Sequence, residues 1–172
     1  MVRTRSPAIA AAVASLTLVG SCASATTPPE PGHAVVVEVL DGDTVVVDLG
    51  DQTEEVRLIG VDTPETHHPT RPVECYGAEA TARTEELLPS GSTIRLERDQ
   101  EPRDRYGRLL AYVHRDDGLF VNLALVEEGY ADALRYPPNE TYSGALATAA
   151  ATARAEGRGM WGACGGPDTP VG

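Results

Sequence analysis

Four polar residues stand in the β-rich stretch from Val35 to Glu65 where a strand has no use for them. Asp43 follows the turn Asp41-Gly42, Arg57 sits among Val56, Leu58 and Ile59, and Asp62 and Glu65 flank Thr63-Pro64. Each has an ordinary explanation when taken alone. Asp41-Gly42 is a strong two-residue hairpin signal, Asp62-Thr63-Pro64-Glu65 is a loop entry, and a strand arginine makes a structural ion pair with a nearby carboxylate. Together they carry chemistry, because both acidic groups fall at neighbouring strand ends of one small sheet. Asp43, Asp62 and the Thr63 backbone oxygen could supply the loose, water-completed oxygen shell that calcium accepts. Two carboxylates predict weak affinity, suited to calcium outside the cell. Arg57 needs a partner if its charge is buried. Arg108, which closes Asp104-Arg105-Tyr106-Gly107-Arg108, offers a planar guanidinium able to give a phosphate two parallel hydrogen bonds. Carboxylates and arginines set out this way suit a phosphodiester.

The elements that must position these groups follow from pattern. Ala34 to Leu40 is a β-branched run, Thr44 to Leu49 returns from the Asp41-Gly42 turn, and Val56 to Val61 reads as a third strand. The loop from Thr63 to Cys75 holds Pro64, Pro69 and Pro72 and excludes regular structure. Tyr76 to Leu88 carries Ala80, Thr84, Leu87 and Leu88 on one helical stripe. Ser92 to Arg98 and Leu109 to His114 read as the fourth and fifth strands, on either side of a charged loop, Asp99 to Gly107. A second helix spans about Phe120 to Glu128 and stops at Gly129. Tyr136-Pro137-Pro138-Asn139 is a rigid elbow with a candidate cis bond. A third helix spans about Tyr142 to Glu156, with Met160-Trp161 pinning its end. Mainly β structure, with one helix after the third strand and two helices at the end, predicts a five-stranded Greek-key barrel of the OB type with three helices.

The first 25 residues lie outside that unit. Arg3 and Arg5 precede an apolar segment, Ala8 to Val19, too short for a permanent membrane span and laid out as an export signal. Val19-Gly20-Ser21-Cys22 resembles a lipobox, which would make Cys22 a lipidation site. Ala23-Ser24-Ala25 alternatively fits ordinary cleavage and release. Residues 26–33 then read as a flexible linker, 34–164 as the folded domain and 165–172 as a loose tail. An exported monomer, membrane-anchored through Cys22 or secreted, is the expectation. Cys75 and Cys164 remain in the domain, as a disulfide pair or as two buried thiols. The 172-residue chain has net charge −12 and contains no lysine; without the two leader arginines, 12 arginines face 26 acids, giving −14. That excludes a generic basic coat protein for nucleic acid but leaves room for an enzyme that gathers positive charge at one site.

The run DGDTVVV, VRLIGVDTPETHHP and VECYGAEA, followed by DRYGRLLAY, VNLALVEEGYA and PPNETY, resembles the staphylococcal nuclease (thermonuclease) family in order and spacing, over about residues 34 to 162. The resemblance implies the OB barrel with three helices and a calcium-dependent nuclease that hydrolyses DNA and RNA and leaves 3′-phosphates. It implies Asp43 and Asp62 as the calcium carboxylates with the Thr63 carbonyl, Arg57, Glu65 and Arg108 as the catalytic trio, and Arg105 and Tyr106 as contacts to a terminal phosphate. Leu134 stands where the family has a second nucleotide-contacting tyrosine, with Tyr136 nearby. The barrel face and Tyr106 would stack or edge a splayed single strand, so single-stranded substrate is the expectation. The alternative from another class is an inactive OB module that binds nucleic acid or protein, whose signature would be a lost acid or arginine at these positions; a purely structural envelope lipoprotein is a third. His67 and His68 have no spaced partner for a transition metal. Asn122 reads as a buried polar tie, and Asn139-Glu140-Thr141 as a sequon of little weight beside a bacterial signal.

Overall fold

Alternation of small and β-branched residues organises the first half of the chain. The computed structural model describes residues 1, 32–66 and 72–171. In it, β1 (His33–Asp41), β2 (Thr44–Asp48) and β3 (Thr53–Leu58) bury Ala34, Val36, Val45, Val47, Val56 and Leu58 on one common face. β1 pairs antiparallel with β2, and β2 with β3. β3 then runs parallel to β6 (Leu109–Arg115), which pairs antiparallel with β5 (Thr93–Glu97). His33 to Val35 pair with β5 and close the five-stranded barrel in the order β1-β2-β3-β6-β5. Closure depends on bending β1. Its register with β2 slips between Val36 and Glu38 and again between Val39 and Asp41, and such irregularities curve a strand.

The helices cover the barrel. α1 (Gly77–Leu87) buries Ala80, Thr84 and Leu87, and the Thr84 hydroxyl donates to the Gly42 carbonyl at 2.7 Å, so the helix holds the first hairpin turn. α2 (Val121–Glu127) buries Val121, Ala124, Leu125 and Val126. Asn122, also buried in it, donates to the Ile59 carbonyl at 2.8 Å and accepts from Val113 N at 2.9 Å, which is the polar tie its apolar helix called for. α3 (Ser143–Glu156) buries Leu146, Ala149, Ala150 and Ala153. A fourth short helix, α4 (Met160–Ala163), inserts Met160 into the core. The Pro137-Pro138 bond is cis. Among the described residues no helix is long and apolar enough to cross a membrane.

Three boundaries differ from the pattern reading. The third strand does not run to Val61, because Gly60 takes φ +79° and turns the chain. Val61-Asp62 instead forms β4, paired with β7 (Asp132–Ala133) away from the barrel. α4 is a helix where only an anchoring contact was expected. Residues 165–171 are not a loose tail: Cys75 N donates to Thr169 O at 2.7 Å, Val171 N donates to Val73 O at 3.1 Å, and Glu74 bridges Pro170. Backbone groups that need partners thus draw the segment onto the loop before α1. The proposed signal, Cys22, most of the linker, His67 and His68 lie outside the described residues.

Cys75 and Cys164 are bonded, with Cα atoms 6.1 Å apart across 89 positions. In the chain-entropy model a loop of that length contributes about 4–5 kcal/mol. Reduction, or Cys75→Ala with Cys164→Ala, is expected to lower the melting temperature by roughly 15 °C with the native circular dichroism retained below it. Equal melting of oxidised and reduced protein would contradict that contribution.

Candidate active site

Strand register places the central guanidinium. Thr44 lies opposite Arg57 in the β2–β3 pair, so Asp43, one residue earlier, reaches Arg57 from the turn. Arg57 Nη2 lies 2.8 Å from Asp43 Oδ2 and 3.5 Å from Asp62 Oδ1. Its Nη1 donates to the carbonyls of Leu58 at 2.9 Å and Val61 at 2.8 Å. Arg57 therefore grips the Gly60 turn that delivers Asp62. The ion pair expected of a strand arginine is present, and its two partners are the acids proposed for the cation.

Asp43 is held on every side. Its Oδ2 also accepts from Thr63 N at 3.2 Å, its Oδ1 accepts from the Thr44 hydroxyl at 3.1 Å, and its own N–H donates to Asp41 Oδ1 at 3.1 Å. Gly42 makes the close approach possible, since a Cβ there would come within 2.7 Å of the Thr63 side chain. Burial pushes the Asp43 carboxyl up to about 7, an effect that Arg57 offsets only in part and that neighbouring Asp41 reinforces. Burial also raises Asp62, against Arg57 and with Asp168, Glu74 and Asp132 adding to the rise. One guanidinium does not neutralise this group of acids, and carboxylates in that state favour an added cation. Among the described residues no three His, Cys, Asp or Glu side chains form a metal-holding group. Asp43 and Asp62 are the two carboxylates that meet here, and oxygen donors of that kind would suit a hard cation better than a transition metal.

A cleft of about 490 Å³ collects Asp43, Arg57, Asp62, Thr63, Glu65, Arg105, Tyr106 and Arg108, the residues singled out from sequence. Arg108 is fixed from behind: its Nε donates to Asp104 Oδ2 at 2.7 Å and its N–H to Asp104 Oδ1 at 3.0 Å, with Nη1 3.4 Å from the Thr44 hydroxyl. Arg105 donates to the Tyr106 hydroxyl at 2.6 Å and lies over its ring at 4.7 Å. Tyr106 is 68% exposed. Tyr136 does not line this cleft; it sits in an adjoining depression that shares Arg57, Arg105, Tyr106 and Arg108. Glu65 enters on the loop after β4, with its N–H donating to Glu74 Oε2 at 2.8 Å.

Several residues that support the site were given no role in it by the sequence. Asp104 orients Arg108, and Asn139 binds the Glu101 backbone at both ends, accepting at 2.7 Å and donating at 2.9 Å. That buried amide is committed to the fold, which removes it as a glycan acceptor. Glu74 and Asp168 line the cleft from segments distant in sequence. Only the paired turn-plus-arginine pattern of Asp104 could have been read beforehand.

The family described as Staphylococcal nuclease homologue matches residues 55–163. A thermonuclease of Staphylococcus intermedius is 51% identical over 108 residues, covering 63% of each chain, and one of Staphylococcus hyicus is 42% identical over 126 residues, covering 73% of each. The SPbeta prophage-derived endonuclease YokF of Bacillus subtilis is 40% identical over 124 residues, 71% of this chain and 41% of that protein. The match thus spans less than two thirds of the first and third of these relatives.

The Asp43 carboxyl gives a pH prediction for the cation-free protein. Its folded pKa lies above the unfolded value of 3.8, so the fold binds that proton more tightly than the unfolded chain does. This contribution to stability is lost as pH rises through about 7. Melting temperatures taken from pH 4.5 to 7.5 in chelator should therefore decline more steeply for wild type than for Asp43→Asn. Parallel profiles would place the titration elsewhere.

Proposed function

The chain belongs to the staphylococcal nuclease family, and on that premise we propose that it is a calcium-dependent nuclease that hydrolyses phosphodiesters of DNA and RNA. The observation that carries the reading is the convergence of Asp43, Asp62, Arg57, Arg108 and Glu65 on one cleft. An inactive binding module would be expected to lack one of these acids or arginines, and each is present at its position.

Asp43, Asp62 and the Thr63 carbonyl would hold the calcium. When bound, that ion supplies charge neutralisation for the phosphate and orientation for a water. Glu65 acts as general base or water-positioner within hydrogen-bond reach of the attacking water. Arg108, oriented by Asp104, donates to the phosphate oxygens as negative charge grows. Arg57 has two roles: it ties Asp43 to Asp62, and it lines the same cleft as Arg108, where it can reach the same oxygens. Tyr106, exposed and braced by Arg105, offers a surface for a terminal phosphate or an unstacked base, so single strands are preferred. Tyr136 is a more distant contact. Products carry 3′-phosphates. The protein is read as an exported monomer, lipid-anchored through Cys22 or released, in keeping with a disulfide that needs an oxidising compartment.

Degradation of single-stranded DNA should depend on calcium with half-saturation at about 10⁻⁴–10⁻³ M, and magnesium with a calcium chelator should not replace it. Full activity in magnesium alone would overturn the cation assignment, and no degradation in millimolar calcium would overturn the enzyme reading. Arg108→Ala and Glu65→Gln are each expected to lower turnover by roughly 10²–10³ with the fold intact. Near wild-type turnover in either variant would remove that residue from the mechanism.

A further inference from the structure

The loop that carries Glu65 lies against a second layer that the reaction does not use. Glu65 and Glu74 are joined twice: Glu65 N–H donates to Glu74 Oε2 at 2.8 Å, and Glu74 N–H donates to the Glu65 carbonyl at 2.9 Å. Glu74 is a buried acid nine positions along the chain from Glu65. It is fixed from the other side by the end of the chain. Cys75 N–H donates to Thr169 O at 2.7 Å, Val171 N–H donates to Val73 O at 3.1 Å, and Glu74 bridges Pro170 in antiparallel register. The disulfide to Cys164 anchors the segment at its start. The αL turn at Asp168, φ 57°, follows two positive-φ glycines and brings the strand back along residues 73–75. Gly77 completes the packing: a Cβ there would meet Thr66 Cγ2 at 2.7 Å and the Pro64 carbonyl at 3.0 Å, so the start of α1 is the floor of the Glu65 loop.

We infer that Glu74 is a positioning residue for Glu65 and that the disulfide-anchored segment 165–171 is the strap that holds Glu74 in place. The inference rests on the nuclease reading above for its consequence and on the hydrogen bonds alone for its geometry. Glu65 must stay within about one hydrogen bond of the attacking water, and a displacement of about 1 Å in such a group costs up to roughly 10²-fold in rate. In this role Glu74 acts through the Glu65 backbone. An amide oxygen in its place can still accept that N–H, so Glu74→Gln should retain function and Glu74→Ala should not.

Two readouts test this on the full oxidised domain with calcium and single-stranded DNA. Glu74→Ala is expected to lower kcat about tenfold or more with KM within about twofold, while Glu74→Gln stays within about threefold of wild type. A chain ending at Cys164 keeps the disulfide but loses the strap, and should show the same kcat-only loss. If Glu74→Ala does not fold, the truncated chain carries the test. Residue-resolved hydrogen exchange reads the geometry without any activity: the Glu65 amide should exchange at least about tenfold faster in Glu74→Ala and in the truncated chain, and near the wild-type rate in Glu74→Gln. Unchanged Glu65 exchange in the truncated chain would overturn the strap. Equal impairment of Gln and Ala variants would overturn the positioning role and make the charge itself the required feature. An inactive wild type with the expected exchange pattern would refute the nuclease reading and leave the positioning intact.

Discussion

The structure turns on one guanidinium that has too many acids to satisfy. Arg57 is only 14% exposed at its side chain, and a charge so placed needs partners. It takes them from four places: Asp43 after the first turn, Asp62 in β4, and the carbonyls of Leu58 and Val61. These contacts fix the Gly60 turn, so the departure of Asp62 from the barrel is a consequence of where Arg57 points. The same contacts leave Asp43 under-neutralised, with its carboxyl raised to about 7. A buried ion pair is weak support for stability in general. Here its value is geometric, because it brings two carboxylates together at the cleft that Arg105 and Arg108 also line.

The barrel and helices serve that geometry by clamping loops that have little regular structure of their own. Thr84 of α1 holds the Gly42 carbonyl, Asn122 of α2 holds the Ile59 carbonyl, Asp104 holds Arg108, and Asn139 holds the loop at Glu101. The C-terminal strap does the same for Glu74. The overall charge, −12 across the chain, opposes a polyanionic substrate at long range, but salt screens that field beyond about 8–10 Å. Attraction is left to the cleft, where Arg57, Arg105 and Arg108 converge and a cation would add to them.

Much of this was legible in the sequence because it rests on local rules. Alternating β-branched runs and the Asp41-Gly42 turn gave the hairpin, 3.6-residue stripes gave the first and third helices, the Gly129 stop bounded the second, and together they gave the barrel. Asp43 and Asp62 were expected together as neighbouring strand ends of one sheet; they do meet, but through Arg57, with Asp62 in the separate β4–β7 pair. What was not legible depended on contacts remote in sequence. A positive-φ Gly60 inside an apolar run looks like continued strand until the chain it turns toward, Asp132–Ala133, is known. Glu74 reads as one acid among 26 until Glu65 is found beside it. Residues 165–171, rich in glycine and proline, have the composition of a tail; their order comes from backbone partners at 73–75 that no local pattern announces.

The central claim is that the acids Arg57 brings together form a weak, proton-competed cation site. Calorimetric titration of calcium into the oxidised protein, near neutral pH and in buffers of different ionisation enthalpy, tests it directly. One ion should bind with a dissociation constant of about 10⁻⁴–10⁻³ M. Proton release should accompany binding as Asp43 ionises, and both signals should vanish in Asp43→Asn. Calcium binding of unchanged affinity in that variant, or no binding by wild type at millimolar concentration, would contradict the account.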